Sequence, residues 1–183
     1  DGDPELQEHE PVFDAANVLR AGRDIFYLRS CSGNRLGAVW LQSVLGPEFR
    51  VHVCENLYKG THLDTTLSLL RPGLVLVNPE RVTRDILPSP LNRWDIIAAP
   101  DMETPTDSPF APISSKWLGM NLLMVRPDLA IVDAQQPALI RLLERQGIES
   151  IPLRLRHGRI LAGGFHCITL DVRRRGALED YTT

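Results

Sequence analysis

A short pattern recurs three times along the chain and limits the folds open to it more than any other feature. Arg20, Arg71 and Arg126 are each followed two residues later by Gly or Asp and then by an apolar run. These arginines lie 51 and 55 residues apart. A period of this length is the size of one supersecondary unit, so it predicts one structural module used three times.

Each copy of the pattern is predicted to be a β-hairpin, a helix and a closing strand, which makes the chain α/β. The first hairpin strand is clearest at 65–70 and 120–125, a helix within 79–87 is weakly indicated, and 166–172 is expected to be one more strand. An irregular open α/β sandwich is the alternative to an array of modules. The remaining predicted elements are second hairpin strands at 25–28, 74–77 and 129–132, helices at 35–45 and 137–146, and closing strands at 50–54, 95–99 and 151–156.

Composition excludes several classes of protein. The chain is 43% hydrophobic with a net charge of -3, unlike a disordered segment or a basic nucleic-acid binder. No apolar run approaches the roughly 20 residues of a membrane span. Three cysteines in 183 residues are too few for a disulfide scaffold, so we expect a cytoplasmic protein. Because the first residue is Asp1 and not Met, we interpret the chain as starting within a longer one.

The repeat also predicts which polar side chains meet. Asp14, His62 and Cys167 lie 8, 11 and 9 residues before the turn glycines at 22, 73 and 176, on what should be the first hairpin strand. If the modules surround a common axis, these groups converge at its centre. A carboxylate, an imidazole and a thiol in one place form a nucleophilic site.

Strand alternation selects the histidine. On a strand, His166 and Cys167 point to opposite faces, whereas His62 and Asp64 share one, so His62 is the predicted partner of Cys167. Purely structural roles are the alternative for these residues. A cysteine in a strand is more often a small buried hydrophobic residue than a nucleophile. His62 and Asp64 could be a simple hydrogen-bonded pair. Asp14 could merely cap a turn.

The residues around these positions resemble the arginine amidinotransferase family. The segment at 163–176 reads GGFHCITLDVRRRG and is similar to the family's cysteine motif. Two more segments are similar to its other site motifs, EPVFDAAN at 10–17 and THLD at 61–64. The resemblance extends over about residues 10–181, with Ala162 where the family usually has a third glycine.

This resemblance implies a fold and a set of site residues. The implied fold is a five-bladed α/β propeller, or pentein, of ββαβ modules. Residues 1–183 would be the C-terminal part of its single catalytic domain, about three modules and a final strand, with N-terminal modules outside this chain. A further guanidinium-binding carboxylate would then lie before Asp1, which leaves the activity of this chain alone open. By the same resemblance, the catalytic residues are Asp14, His62 and Cys167, and the substrate-binding residues are Asp64 for the guanidinium and Arg81, Ser114 and Ser115 for the rest of arginine.

The implied reaction transfers the amidino group of L-arginine to an amine through an amidino-cysteine, releasing ornithine. The chain resembles the aminocyclitol-phosphate enzymes of antibiotic biosynthesis at four positions, Asn17, Leu57, Tyr58 and Thr61. At 114–117 it resembles the glycine type instead. An arginine deiminase-like hydrolase or an inactive fragment is also compatible with these residues. We expect small-molecule partners only, no metal or other cofactor, no nucleic acid and no membrane, and we leave a homodimer open.

Overall fold

Three separate three-stranded sheets follow one another in the computed structural model, which describes residues 6–104 and 114–177. This arrangement confirms the repeated α/β module and is not one open sandwich sheet. Short 3₁₀ helices lie at Ala15–Asn17, Arg84–Ile86, Leu91–Arg93 and Lys116–Met120. In chain order the other elements are β1 (Val18–Ala21), β2 (Asp24–Leu28), α1 (Arg35–Leu45), β3 (Arg50–Cys54), β4 (Leu67–Arg71), β5 (Leu74–Val77), β6 (Asp95–Ala98), β7 (Leu123–Arg126), β8 (Leu129–Asp133), α2 (Pro137–Arg145), β9 (Glu149–Leu153) and α3 (Gly158–Leu161).

The sheets share one topology. The first two strands of each form an antiparallel hairpin, and the third strand pairs with the second in parallel. Gly73 turns the middle hairpin at φ 80°, a conformation that suits a residue without Cβ. A parallel neighbour needs a crossover, which α1 and α2 provide in the first and third modules. Asn34 starts α1 by accepting a hydrogen bond from Gly37 N at 2.8 Å.

The middle module has no α-helix, so the weakly indicated helix within 79–87 is wrong. Arg84–Ile86 and Leu91–Arg93 form single 3₁₀ turns there instead. Pro79, Pro88 and Pro90 lie in this crossover, and proline both lacks an N–H donor and clashes with the preceding helical turn. The segment therefore crosses the sheet as short turns.

The predicted last strand at 166–172 is also wrong. Residues 165–168 form a turn, and the following residues pair with no strand among those described. Ile168, Leu170 and Val172 supply the apolar alternation that favoured a strand, but all three are exposed. A strand requires a partner for its backbone groups, and alternation alone does not provide one.

The middle sheet has both faces covered, which explains why every residue of β5 is buried. Val75 and Val77 pack with Phe26 and Leu28 of β2, whereas Leu74 and Leu76 pack on the opposite side with the third sheet. Successive residues of a strand point to opposite faces, so an all-apolar strand fits between two neighbours. Burial of each such side chain contributes roughly 1.5–3 kcal/mol to folding, and together these side chains fix the positions of the three sheets relative to one another.

Among the helices of the described ranges, none combines the length and apolar character that a bilayer crossing requires.

Ala162 gives a test of backbone strain at the end of α3. It lies at φ 56° and ψ 34°, in the left-handed region that costs a residue with a Cβ roughly 1–2 kcal/mol. We expect Ala162→Gly to raise the free energy of unfolding by about 0.5–1 kcal/mol, since part of the relief is offset by the greater entropy of glycine in the unfolded chain. Urea denaturation measures the change.

Ala98→Gly is the matched control, because Ala98 is exposed on β6 in extended backbone. There glycine should lower the free energy of unfolding by about 0.5–1 kcal/mol. A loss of stability in both variants would contradict the left-handed conformation of Ala162.

Candidate active site

Two loops meet where Asp14 and His62 lie, one just before β1 and the other just before β4. Asp14 Oδ1 accepts a hydrogen bond from Ala16 N at 3.0 Å and so caps a 3₁₀ turn, as one interpretation of the sequence allowed. Its other oxygen, Oδ2, lies 3.4 Å from His62 Nε2. Leu63 N also donates to Ala16 O at 3.0 Å. The structure thus brings Asp14 and His62 together, with the carboxylate orienting the imidazole.

A buried amide holds His62 in an unusual conformation. His62 is non-glycine yet has φ 68°. Its backbone N–H donates to Asn17 Oδ1 at 3.0 Å. Asn17 Nδ2 in turn donates to Ser30 Oγ at 3.1 Å and Ser32 Oγ at 3.0 Å. Strained backbone persists only where its surroundings determine it, so Asn17 is a positioning residue for His62.

The carboxylate of Asp64 forms the second half of the site. Asp64 is 4% exposed, and its Oδ2 accepts hydrogen bonds from Cys167 Sγ at 3.2 Å and His166 Nδ1 at 3.0 Å. Its Oδ1 is buried, and no donor among the described residues bonds to it. Buried carboxylate oxygens are normally paired, so Oδ1 is an acceptor suited to a ligand with N–H groups.

The strand geometry predicted for these residues is wrong. His62 and Asp64 lie in a loop before β4 and contact different partners, Asp14 and Cys167. His166 and Cys167 lie in a turn, and both reach the same Asp64 oxygen. Residues of a strand alternate between faces, but neighbours in a helical turn are only about 100° apart. Among the described residues, no hydrogen bond or ion pair joins His62 to Cys167 directly.

Asn121 lies behind the Cys167 turn and was not foreseen from the sequence. It follows the 3₁₀ helix Lys116–Met120 and its side chain hydrogen-bonds Cys167 and His166. The position of Asn121 could have indicated its role, because Asn121 comes just before β7, as Asp14 and Asp64 come just before β1 and β4. An isolated asparagine in a loop carries no chemical motif, so that signal was weak.

The electrostatics of the site depend on the Asp64 charge. Burial opposes ionisation of Asp64, but hydrogen bonds from His166 and Cys167 outweigh it and hold its pKa below the usual range. The bond to Asp64 raises the pKa of His166. Burial and the Asp64 charge raise the pKa of the Cys167 thiol. The resting site therefore pairs an anionic carboxylate with a protonated thiol, and a bound cation would shift that balance towards thiolate.

The other expected substrate-binding residues lie further out. Arg81 Nη1 donates to Thr66 Oγ1 at 2.9 Å, and its guanidinium stacks on Tyr58 at 3.7 Å from the ring centroid. Arg81 thus contacts the loop that carries His62 and Asp64.

Ser114 and Ser115 contact α3 instead. Ser114 Oγ donates to Arg159 O at 3.2 Å, and Ser115 O accepts from Arg159 Nη1 at 2.9 Å. In the described part of the chain, no hydrogen bond joins either serine to Cys167, His62 or Asp64. Within the same residues, no group of three or more His, Cys, Asp or Glu is arranged to hold a metal ion.

Comparison with known proteins gives strong matches, although no protein-family model matches the chain. Inosamine-phosphate amidinotransferase 1 of Streptomyces glaucescens is 56% identical over 176 residues, 96% of this chain and 51% of the relative. Mitochondrial glycine amidinotransferase of Gallus gallus is 44% identical over 175 residues, 95% of this chain and 41% of the relative. The solved structure of inosamine-phosphate amidinotransferase from Streptomyces griseus superposes with a TM-score of 0.93 at 56% identity, covering 97% of this chain and 51% of that one. The chain spans about half the length of the inosamine-phosphate relatives it matches.

The His166–Asp64 contact predicts a pH dependence of stability. Because folding raises the pKa of His166, its contribution is fully present below its unfolded pKa and is lost as pH rises through the folded pKa. His166→Asn keeps an N–H donor near the Nδ1 position but cannot titrate. We expect the stability advantage of the wild-type chain over His166→Asn to be largest near about pH 5.5 and to fall towards about pH 9. Urea denaturation across this range measures the difference.

His157→Asn is the control, since His157 is exposed and makes no ion pair among the described residues. The difference between that variant and wild type should show no comparable decline. A pH-independent difference for His166→Asn would mean that the Asp64 contact does not form in solution.

Proposed function

The chain belongs to the amidinotransferase family, and on this basis we propose that it carries the nucleophile of an L-arginine amidinotransferase. The main support is the contact between the Cys167 thiol and Asp64, whose second oxygen is buried without a donor among the described residues. A thiol beside an acceptor for a cation is the arrangement that attack on a guanidinium carbon needs. The proposed catalytic residues are Asp14, His62 and Cys167.

Asp64 is proposed to bind the guanidinium of arginine. A carboxylate can accept two parallel N–H bonds from this planar cation, and Oδ1 is the oxygen that remains to be paired. The positive charge would offset the Asp64 charge that raises the pKa of Cys167, so binding favours the thiolate. Substrate binding would thereby activate the nucleophile beside the carbon that it attacks. Arg81, Ser114 and Ser115 are proposed to bind the remainder of the amino acid.

The proposed reaction proceeds through a covalent intermediate. The Cys167 thiolate attacks the guanidinium carbon, and the bond from that carbon to the ornithine nitrogen breaks as His62 gives that nitrogen a proton. An amidino group remains on Cys167. The acceptor amine then attacks this carbon, loses a proton to His62, and releases the thiolate. Asp14 contacts His62 Nε2, so we place the proton transfers at Nδ1.

An aminocyclitol phosphate, an acceptor typical of antibiotic biosynthesis, is the proposed amine. The identity to inosamine-phosphate amidinotransferase is 56%, against 44% for glycine amidinotransferase, whose acceptor is the second candidate. A hydrolase has one observation in its favour: Cys167 is exposed in this chain, so water can reach a covalent adduct on it. In that reaction ammonia would leave in the first step in place of ornithine, and water would then release citrulline and the thiol. We propose a cytoplasmic enzyme, in keeping with its free cysteines.

We further propose that residues 1–183 are one part of a five-module propeller domain. Its supports are the threefold repeat of one sheet topology and the exposed apolar side chains of Ile168, Leu170 and Val172, which need cover. On this proposal, turnover requires the remainder of the domain. Turnover is therefore to be measured on protein expressed from the whole reading frame that contains this chain.

Incubation with L-arginine should add one amidino group to the peptide that contains Cys167. The adduct accumulates without an acceptor amine because the second half of the cycle is then blocked. Mass spectrometry of the digested protein locates the adduct, and product analysis should find one ornithine released per site.

Cys167→Ser should abolish the adduct, whereas Cys31→Ser, at a half-buried cysteine, should retain it. With a panel of amines, a guanidinylated amine and ornithine are the expected products. An adduct on Cys31 or Cys54 would overturn the assignment of the nucleophile, and citrulline as the sole product would establish the hydrolase.

Asp64→Asn should lower kcat/KM for arginine by roughly tenfold to a hundredfold, the expected loss for a charge-assisted hydrogen bond. Stability should fall by less than arginine use does, because the weaker bonds from His166 and Cys167 are partly offset by the lower cost of burying an amide. Steady-state kinetics and urea denaturation measure the two effects separately.

Asp128→Asn is the matched control, since Asp128 is exposed and pairs with Arg126 in a hairpin turn. Its kinetics should match wild type. If Asp64→Asn also leaves arginine kinetics unchanged, Asp64 does not contact the guanidinium.

A further inference from the structure

We propose that Asn121 positions Cys167 and stabilises its thiolate through a hydrogen bond to Sγ. The inference depends on the proposed function only for the identity of the nucleophile. One side chain shapes the Cys167 turn and also contacts the sulfur, and separate hydrogen bonds support the two roles.

Asn121 is anchored at its backbone on both sides. Its N–H donates to Leu118 O at 3.0 Å, within the turn that ends the 3₁₀ helix Lys116–Met120. Its carbonyl accepts from Phe165 N at 2.9 Å, two residues before Cys167. The residue is 3% exposed. The Cys167 turn is therefore docked on an element of the third module, and Asn121 is the point of contact.

The side-chain amide completes the attachment. Asn121 Oδ1 accepts from His166 N at 2.9 Å and from Cys167 N at 3.1 Å. Asn121 Nδ2 donates to Cys167 Sγ at 3.1 Å. One planar group thus supplies an acceptor for two backbone N–H groups and a donor for the sulfur, a combination that neither a carboxylate nor an apolar side chain offers.

Gly164 shows how closely the turn is built around this amide. A Cβ on Gly164 would lie 2.5 Å from Asn121 Cβ and 2.6 Å from Oδ1, far inside van der Waals contact. Only glycine lets the backbone at this position approach the Asn121 side chain. The second glycine of the Gly163-Gly164 pair is thereby explained by the amide behind it.

The hydrogen bond from Asn121 to the sulfur and the charge of Asp64 act on the pKa of Cys167 in opposite directions. The Asp64 carboxylate accepts the thiol proton at 3.2 Å and disfavours a second negative charge. The Asn121 donor lies at a similar distance from the sulfur and favours the anion. With arginine bound to Asp64, the amide would remain as a donor that steadies the thiolate for attack.

Asn121→Asp separates this role from simple closure of the turn. The aspartate keeps an acceptor for the His166 and Cys167 N–H groups but replaces the sulfur's donor with a charged oxygen. Asn121→Leu removes both functions. In Asn121→Asp the new charge and the loss of the donor both disfavour the thiolate. An unchanged pKa of Cys167 would therefore mean that this side chain does not contact the sulfur.

The experiment is the pH dependence of Cys167 alkylation by iodoacetamide in the 183-residue chain. It uses a Cys31→Ser background, and Cys54 is buried. Thiolate is the reactive form, so the rate reports the pKa of Cys167. We expect Asn121→Asp to react roughly tenfold more slowly near neutral pH and to shift the pH midpoint upward by roughly one unit or more, with a similar limiting rate at high pH.

A second measurement on the unmutated side chain covers the case in which Asn121→Asp fails to fold. The Asn121 side-chain amide resonance should shift with pH at the midpoint found by alkylation, because its Nδ2 proton contacts the ionising sulfur. Cys167→Ala should abolish that shift. Asn121→Leu serves only to assign the resonance.

A folded Asn121→Asp chain with the parent midpoint would overturn the inference, as would an amide resonance that ignores the ionisation of Cys167. Neither measurement uses arginine. If both succeed while arginine never labels Cys167, the proposed function fails alone; if arginine labels Cys167 while both fail, only the role of Asn121 is lost.

Discussion

The buried carboxylate of Asp64 holds together parts of the chain that are 103 residues apart. Removing a carboxylate from water costs several kcal/mol unless hydrogen bonds replace its hydration. Here one oxygen accepts hydrogen bonds from Cys167 and His166, while the other accepts none from the described residues. The same feature that brings the thiol to the middle module therefore leaves an acceptor for a cationic ligand, and the proposed chemistry depends on that asymmetry.

The surrounding structure makes this arrangement rigid. The middle sheet packs on its neighbours through both faces, so the loops that precede β1, β4 and β7 have fixed relative positions. Two buried amides then secure individual groups: Asn17 holds the His62 backbone, and Asn121 holds the Cys167 turn. Apolar packing between sheets thus positions the modules, while asparagines position the reactive side chains within them.

Prediction from sequence succeeded where local pattern decides structure. The bounds of α1 and the three hairpins follow from periodicity, turn residues and caps that act over a few residues. It failed where a proline-rich crossover replaced the middle helix, and at 166–172, where apolar alternation had no partner strand. At the site, strand alternation did not apply for a related reason, because four of its residues lie in loops or turns: His62, Asp64, His166 and Cys167.

The sequence by itself determined the repeated module and the chemical types gathered near its loops, because both are written in short-range spacing and in the side chains themselves. Only the tertiary structure decided the pairing: Asp14 with His62, and Asp64 with both Cys167 and His166. It also revealed Asn121, which no motif marks. These contacts join residues from 45 to more than 100 positions apart, so they follow from how the sheets pack and from which loops that packing brings together.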